Sequence, residues 1–194
     1  MTRTATIERT TRETTISVTV DLDGAGSTSV TTGIGMLDHL LTSFSHHSLI
    51  DLCIEMTGDL EVDDHHTIED TMLALGEAID AALGDRAGIA RYGDARIPMD
   101  EAIAQCALDL GGRSYAVVDV HFRSDRIGAL STQMIEHALE AFSRTLRATI
   151  HVDGTGRNDH HIAEAMFKAL ARAMREAVSI DPRRTGVAST KGVL

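Results

Sequence analysis

Two paired histidines carry the strongest chemical signal in this sequence. His65-His66 is followed by Glu69, and His160-His161 by Glu164, so each pair has a glutamate three residues after its second member. The copies lie 95 residues apart. His39 and His137 belong to a second repeated stretch: Met36-Leu37-Asp38-His39-Leu40-Leu41 with Phe44-Ser45 is answered 98 residues later by Met134-Ile135-Glu136-His137-Ala138-Leu139 with Phe142-Ser143. Nearly equal offsets, with matching residues in the same order, mean that one unit is used twice. Imidazole and carboxylate without thiolate suit Mn, Fe, Co, Ni or Zn, and do not suit a cysteine-type structural zinc site.

Spacing says how such ligands would be shared. Four residues advance an α-helix by about 400°, so His65 with Glu69, and His160 with Glu164, share a face and form natural clips. The neighbouring His66 and His161 are turned by about 100° and face elsewhere. Two ions are therefore expected, with each paired motif contributing to both. His39 and His137 complete a set of six histidines and two glutamates. The division we expect is His65, Glu69, His137 and His161 at one ion, and His160, Glu164, His39 and His66 at the other. A His66–Glu69 pairing at i,i+3 stays open. His121 and His151 have no duplicate and read as ordinary strand residues.

The elements that must carry these ligands can be read from periodicity. Ile16, Val18, Val20 and Leu22 alternate with Thr and Ser, a half-buried strand ended by Asp23-Gly24. Residues 27–32 are expected to pair with it. From Met36 the period becomes helical, which places His39 on an amphipathic helix; Leu52, Ile54 and Met56 alternate again. Asp63 or Asp64 is a candidate N-cap for a helix that Gly84 stops. The second half repeats the order, with strands over 103–110 and 115–122, a helix near 131–147, a short strand at 149–152 and a final helix bearing His160, His161 and Glu164. The fold expected is α+β, an internal duplication of a sheet covered on one face by two helices, with halves at 1–92 and 93–194 and an irregular basic tail from Ile180.

Bulk composition narrows the partners. The chain has 194 residues, 43% of them hydrophobic and 3% aromatic, enough for a sizeable core. No run of 18 apolar residues occurs and the start lacks a basic-then-apolar segment, so neither a membrane span nor a secretory signal is expected. Cys53 and Cys106, the only cysteines, sit in apolar strand-like runs and read as buried free thiols in a reducing cytoplasm. A net charge of −11 argues against nucleic acid or an anionic membrane as partner, while leaving room for a small anionic substrate in a local basic pocket.

Several separate motifs resemble one family. Thr32-Gly33-Ile34-Gly35-Met36-Leu37-Asp38-His39-Leu40, Asp64-His65-His66-Thr67-Ile68-Glu69-Asp70, Asn158-Asp159-His160-His161-Ile162-Ala163-Glu164 and Ser189-Thr190-Lys191-Gly192 occur in the order found in imidazoleglycerol-phosphate dehydratases. The resemblance runs from Arg12-Glu13-Thr14 to Val193. It implies a duplicated unit like the second domain of ribosomal protein S5, and dehydration of imidazole glycerol phosphate to imidazole acetol phosphate in histidine biosynthesis. It also implies manganese, two ions per chain, and homo-oligomers of 24 subunits with sites between chains. By resemblance the metal ligands are the eight residues above, and His39, His65 and His161 also lie against substrate. Glu13 and His47 match catalytic and substrate-contacting positions, and Arg91, Arg113, Ser189 and Lys191 match contacts to the phosphate. Met36, His46 and Ala188 depart from the family pattern, and His46 leaves open which member of the His46-His47 pair meets substrate.

The implied chemistry is coherent with the ligands. The proton to be removed sits on the carbon chain beside an imidazole ring and is not acidic by itself. Cations on both ring nitrogens would let the ring become an imidazolate and take up electron density. A carboxylate such as Glu13 would move the proton. The competing reading is a dinuclear metallohydrolase of a phosphate ester, whose ions would share a water about 3.5–4 Å apart. A metal-storage or ribosomal-type binding module is a third, carried by fold analogy alone.

Overall fold

The change of period at Met36 is a real boundary between strand and helix, and the chain makes the same change in its second half. The computed structural model describes residues 2–192; Val193, where the resemblance ends, lies outside them. The first half comprises β1 (Thr4–Thr10), β2 (Thr14–Asp21), β3 (Thr28–Thr31), α1 (Gly35–Ser48), β4 (Asp51–Gly58) and α2 (His65–Leu83). The second comprises β5 (Tyr92–Met99), β6 (Ala102–Asp109), β7 (Tyr115–Val120), β8 (Arg126–Ile127), β9 (Leu130–Ser131), α3 (Gln133–Leu146), β10 (Thr149–Thr155) and α4 (Asp159–Ala177). The sheets have matching orders, β1-β2-β4-β3 and β5-β6-β10-β7, each antiparallel except for its last pair. The fold is α+β and duplicated.

Strand β3 does not pair with β2, as its composition suggested, but runs parallel to β4 at the sheet edge. The reason is connectivity: α1 separates β3 from β4, and a helix crossover returns the chain parallel, whereas a tight turn returns it antiparallel. The outer strands β1 and β5 escape a reading by periodicity. No residue of β1 is fully buried, and β5 carries Pro98, tolerated at an edge. Cys106 is buried as expected, but Cys53 is exposed. It falls between Leu52 and Ile54, which face the helices, so its side chain stands on the outer face of the sheet.

All four helices lie between the two sheets, with α1 packed on α4 and α2 on α3. Phe44 and its copy Phe142 meet edge to face at 6.3 Å, both fully buried, where the two halves join. Gly76 lets α2 approach α3: a Cβ there would stand 2.7 Å from the Phe142 carbonyl oxygen and 2.9 Å from the Leu146 amide nitrogen. Helix propensity alone would make Gly76→Ala stabilising by about 1 kcal/mol. The packing predicts the opposite sign, a loss of about 1–3 kcal/mol from overpacking, read as a lower unfolding temperature. A raised unfolding temperature would contradict this helix crossing.

Candidate metal and substrate site

Four side chains fix the starts of the ligand-bearing helices. Asp38 accepts from the Thr32 amide at 2.8 Å and the Thr32 hydroxyl at 2.6 Å, closing the turn that launches α1 just before His39. Asp64 holds the N-cap position of α2, yet its carboxylate is turned away to accept from the Ser131 amide and hydroxyl. That buried tie joins the start of α2 to β9, which leads directly into α3. The amide of His65 is served instead by Asp63 Oδ1 at 2.8 Å. At α4 the cap is Asn158, whose side chain accepts from the His160 amide at 3.0 Å.

Two clusters result. His65, Glu69 and His137 converge from α2 and α3, and His39, His160 and Glu164 converge from α1 and α4, with the donor atoms of each cluster within 4.8 Å of one another. Each cluster draws on both halves, and no residue belongs to both. Glu69 meets His65 and His137, at 3.7 and 3.2 Å, rather than His66. Glu164 lies 3.1 Å from His39 Nε2 and 3.2 Å from His160 Nε2, and its second oxygen accepts from Lys168 at 2.7 Å. Burial raises the Glu164 carboxyl, but the bonds from Lys168 and His39 outweigh it and hold it down at about 2. The carboxylate therefore stays charged, as a ligand must.

The donor set fits a divalent ion at each cluster: two imidazoles, one carboxylate and no thiolate. A further sign is at His137, whose Nε2 is buried and makes no hydrogen bond although Glu69 Oε1 is near. Buried polar atoms without partners are rare, and one at the centre of a ligand cluster is what a metal-binding atom leaves behind.

His66 and His161 stand outside the clusters of their own chain. His66 Nδ1 lies 3.0 Å from Asp59, which raises its pKa, and its Nε2 lies 3.8 Å from Glu13. His161 Nδ1 lies 2.9 Å from Glu101. That bond, with the amides of Arg157 and Asn158, holds the Glu101 carboxyl down at about 2. Neither Asp59 nor Glu101 stood out in the sequence, because single acids in turns carry no periodic signal. His47 is half-buried, and burial together with Lys168, His46 and Arg172 keeps it below the usual histidine range. It thus faces α4, while His46 is exposed.

The residues matched to a phosphate contact gather elsewhere. Arg91, Arg113, Ser189 and Lys191 line one cavity of about 690 Å³ with Arg184, Gly111 and Gly112. Arg91 does not hold its fork open: Nε and Nη2 donate to Asp109 at 2.6 and 2.9 Å, and Nη1 donates to the Ala188 carbonyl at 2.5 Å. Arg91 thus also fastens the tail. Further ties come from Gly88 to Gly186 at 3.0 Å and from Asp181 to Gly88 at 2.9 Å. Arg113 is exposed, its guanidinium 3.5 Å from Asp109.

Comparison with known proteins decides the family. The pattern of the family described as imidazoleglycerol-phosphate dehydratase matches residues 32–174. The chain belongs to that family. It is 53% identical over 192 residues to the imidazoleglycerol-phosphate dehydratase of Methanococcoides burtonii, covering 99% of this chain and all of that one. The enzyme of that name from Chlorobaculum tepidum is 54% identical over 193 residues, covering 99% of this chain and 98% of its own. Among solved structures, the Staphylococcus aureus imidazoleglycerol-phosphate dehydratase superposes with a TM-score of 0.83 at 32% identity, over 92% of this chain and 99% of that chain. The Pyrococcus furiosus protein, solved in complex with (S)-C348, superposes with a TM-score of 0.82 at 37% identity, over 97% and 100%. Family membership makes the chain a lyase of histidine biosynthesis.

Clusters that share no residue should lose their ions independently. With a divalent ion supplied to each cluster, Glu69→Gln is expected to abolish binding at one and leave the other at its original affinity, read by metal analysis and chelator competition. Equal weakening of both ions would contradict separate clusters.

Proposed function

We propose that this chain dehydrates imidazole glycerol phosphate to imidazole acetol phosphate, using two divalent ions per chain, manganese first among them, in sites completed by neighbouring chains of a homo-oligomer of 24 subunits. The observation that carries the reading is the separation of two kinds of binding surface. The ligand clusters and the basic cavity have no residue in common, and the substrate has an imidazole ring at one end and a phosphate at the other.

His65, Glu69 and His137 would hold one ion and His39, His160 and Glu164 the other. His161 and His66, whose Nε2 atoms are not engaged within their own cluster, are the residues offered to a neighbouring chain as fourth ligands. When bound, the ions would supply Lewis acidity to the ring, so that it can give up its N–H proton and push electron density toward the adjacent carbon as that carbon loses its hydroxyl, which departs with a proton as water. Glu13, an exposed carboxylate beside His66, would take the proton from the next carbon of the side chain, and the resulting enol becomes the ketone of the product. His47 contributes a substrate contact from α1. Lys191 and Arg113 supply charge to the phosphate, Ser189 supplies a hydroxyl, and Arg91 contributes its remaining N–H groups while holding the tail in place. A metallohydrolase would need two ions close enough to share a water, and the clusters offer no bridging ligand.

The test is turnover of imidazole glycerol phosphate by the purified protein with manganese. Activity without the substrate's phosphate, or none with it, would overturn the reading. Lys191→Ala should raise KM by roughly tenfold to a hundredfold, the loss of one charge-assisted hydrogen bond at about 1.5–3 kcal/mol. Deleting residues 189–194 should raise it further, with metal content and oligomer size unchanged. A KM within twofold of the full chain would show that the tail does not hold the phosphate.

A further inference from the structure

Each histidine that stands outside its own cluster has a private carboxylate on Nδ1. For His66 this is Asp59, at 3.0 Å through Oδ2 and 3.2 Å through Oδ1. For His161 it is Glu101, at 2.9 Å. The two acids do not come from equivalent places. Asp59 follows β4, whereas Glu101 sits in the turn between β5 and β6. Duplication alone would have produced matching acids.

The acid that duplication does pair with Glu101 is Glu13. Each immediately precedes the second strand of the hairpin that opens its half, β2 or β6. Each also approaches the second histidine of its paired motif, but on opposite ring nitrogens: Glu101 lies on Nδ1 of His161, whereas Glu13 lies 3.8 Å from Nε2 of His66. Glu101 is further immobilised, because its Oε1 accepts from the Arg157 and Asn158 amides at 3.0 and 2.7 Å. It thereby ties the hairpin to the residue that caps α4. Among the described residues Glu13 accepts no comparable bonds, and its side chain is 53% exposed. The two copies of one acid have diverged into a fixed carboxylate and a free one.

We infer that Asp59 and Glu101 are positioning residues that hold His66 and His161 with Nδ1 protonated and the Nε2 lone pair turned outward for a metal ion. This rests on the reading of His66 and His161 as ligands. The physical reason is that a neutral imidazole has one N–H and one lone pair, and a carboxylate on Nδ1 decides which nitrogen keeps the proton. Ligating histidines commonly have such a partner, which fixes the tautomer and raises ligand basicity. In the first half, Asp59 takes over the orienting role and leaves Glu13 free of it.

Glu101→Gln and Asp59→Asn separate positioning from structure. A glutamine keeps an oxygen for the Arg157 and Asn158 amides but can present its NH2 to His161 Nδ1, which drives the proton to Nε2 and blocks ligation. Full-length protein should be titrated with Mn2+ alone and its ions counted, beside His161→Ala and His66→Ala. Each carboxamide variant is expected to keep the unfolding temperature of metal-free protein and to bind one of its two ions roughly 10–100-fold more weakly. Each alanine variant should lose that ion. Wild-type affinity in both carboxamide variants, with the ion lost in the alanine variants, would overturn the positioning role and leave the ligand reading standing. Two ions at wild-type affinity in the alanine variants would overturn the ligand reading and the positioning role with it.

Discussion

Consecutive residues on an α-helix point about 100° apart, and the rest of this structure follows from that. Two adjacent histidines cannot close on the same small ion, so a paired motif must face two ways. The first member, with the glutamate one turn on, forms a clip on the inner side of the helix. The second is turned out of the cluster. Because the glutamates lie where the two halves meet, each clip is completed by a histidine from the other half: His137 for Glu69 and His39 for Glu164. The duplication is thereby useful rather than incidental, since neither half could assemble a cluster alone.

Electrostatics divides the surface between these tasks. An overall charge of −11 coexists with a cavity lined by three arginines and a lysine, because the basic residues of the tail are folded back against the turn at Gly111-Gly112. The hinge of that arrangement is Arg91, buried, left-handed at φ 74° and bonded to both Asp109 and the tail. A non-glycine residue in this region costs of order 1–3 kcal/mol, which the two-pronged pair with Asp109 helps to offset. Gly111 leaves the room for that pair: a Cβ there would lie 2.7 Å from the Arg91 guanidinium and 2.8 Å from the Asp109 carboxylate.

Much of this was legible in the sequence, for identifiable reasons. The ligand types, their i,i+4 spacing and the duplication are local or repeated features, and they led to the helices and to three members of each cluster. Strand partners were less legible, since β3 has the composition of a neighbour of β2 but is sent to β4 by the helix that follows it. Strand β1, none of whose residues is fully buried, gave only a weak period to read. Asp59 and Glu101 were invisible because only the tertiary turn brings them to His66 and His161. The pair of Arg91 with Asp109, eighteen residues on along the chain and adjacent in the fold, had no signal in the sequence either.

The central claim is that each substrate site is built from more than one chain, with a cluster from one and an outward histidine from another. The most direct measurement is complementation between two inactive variants, Glu69→Gln and His161→Ala, dissociated, mixed and reassembled together. If clusters and outward histidines meet across chains, some mixed sites contain an intact cluster from one parent and an intact His161 from the other, and dehydration of imidazole glycerol phosphate returns to a fraction of the unaltered rate. If every site lies within one chain, each chain carries its own lesion and mixing restores nothing; verified mixed oligomers without activity would contradict the account.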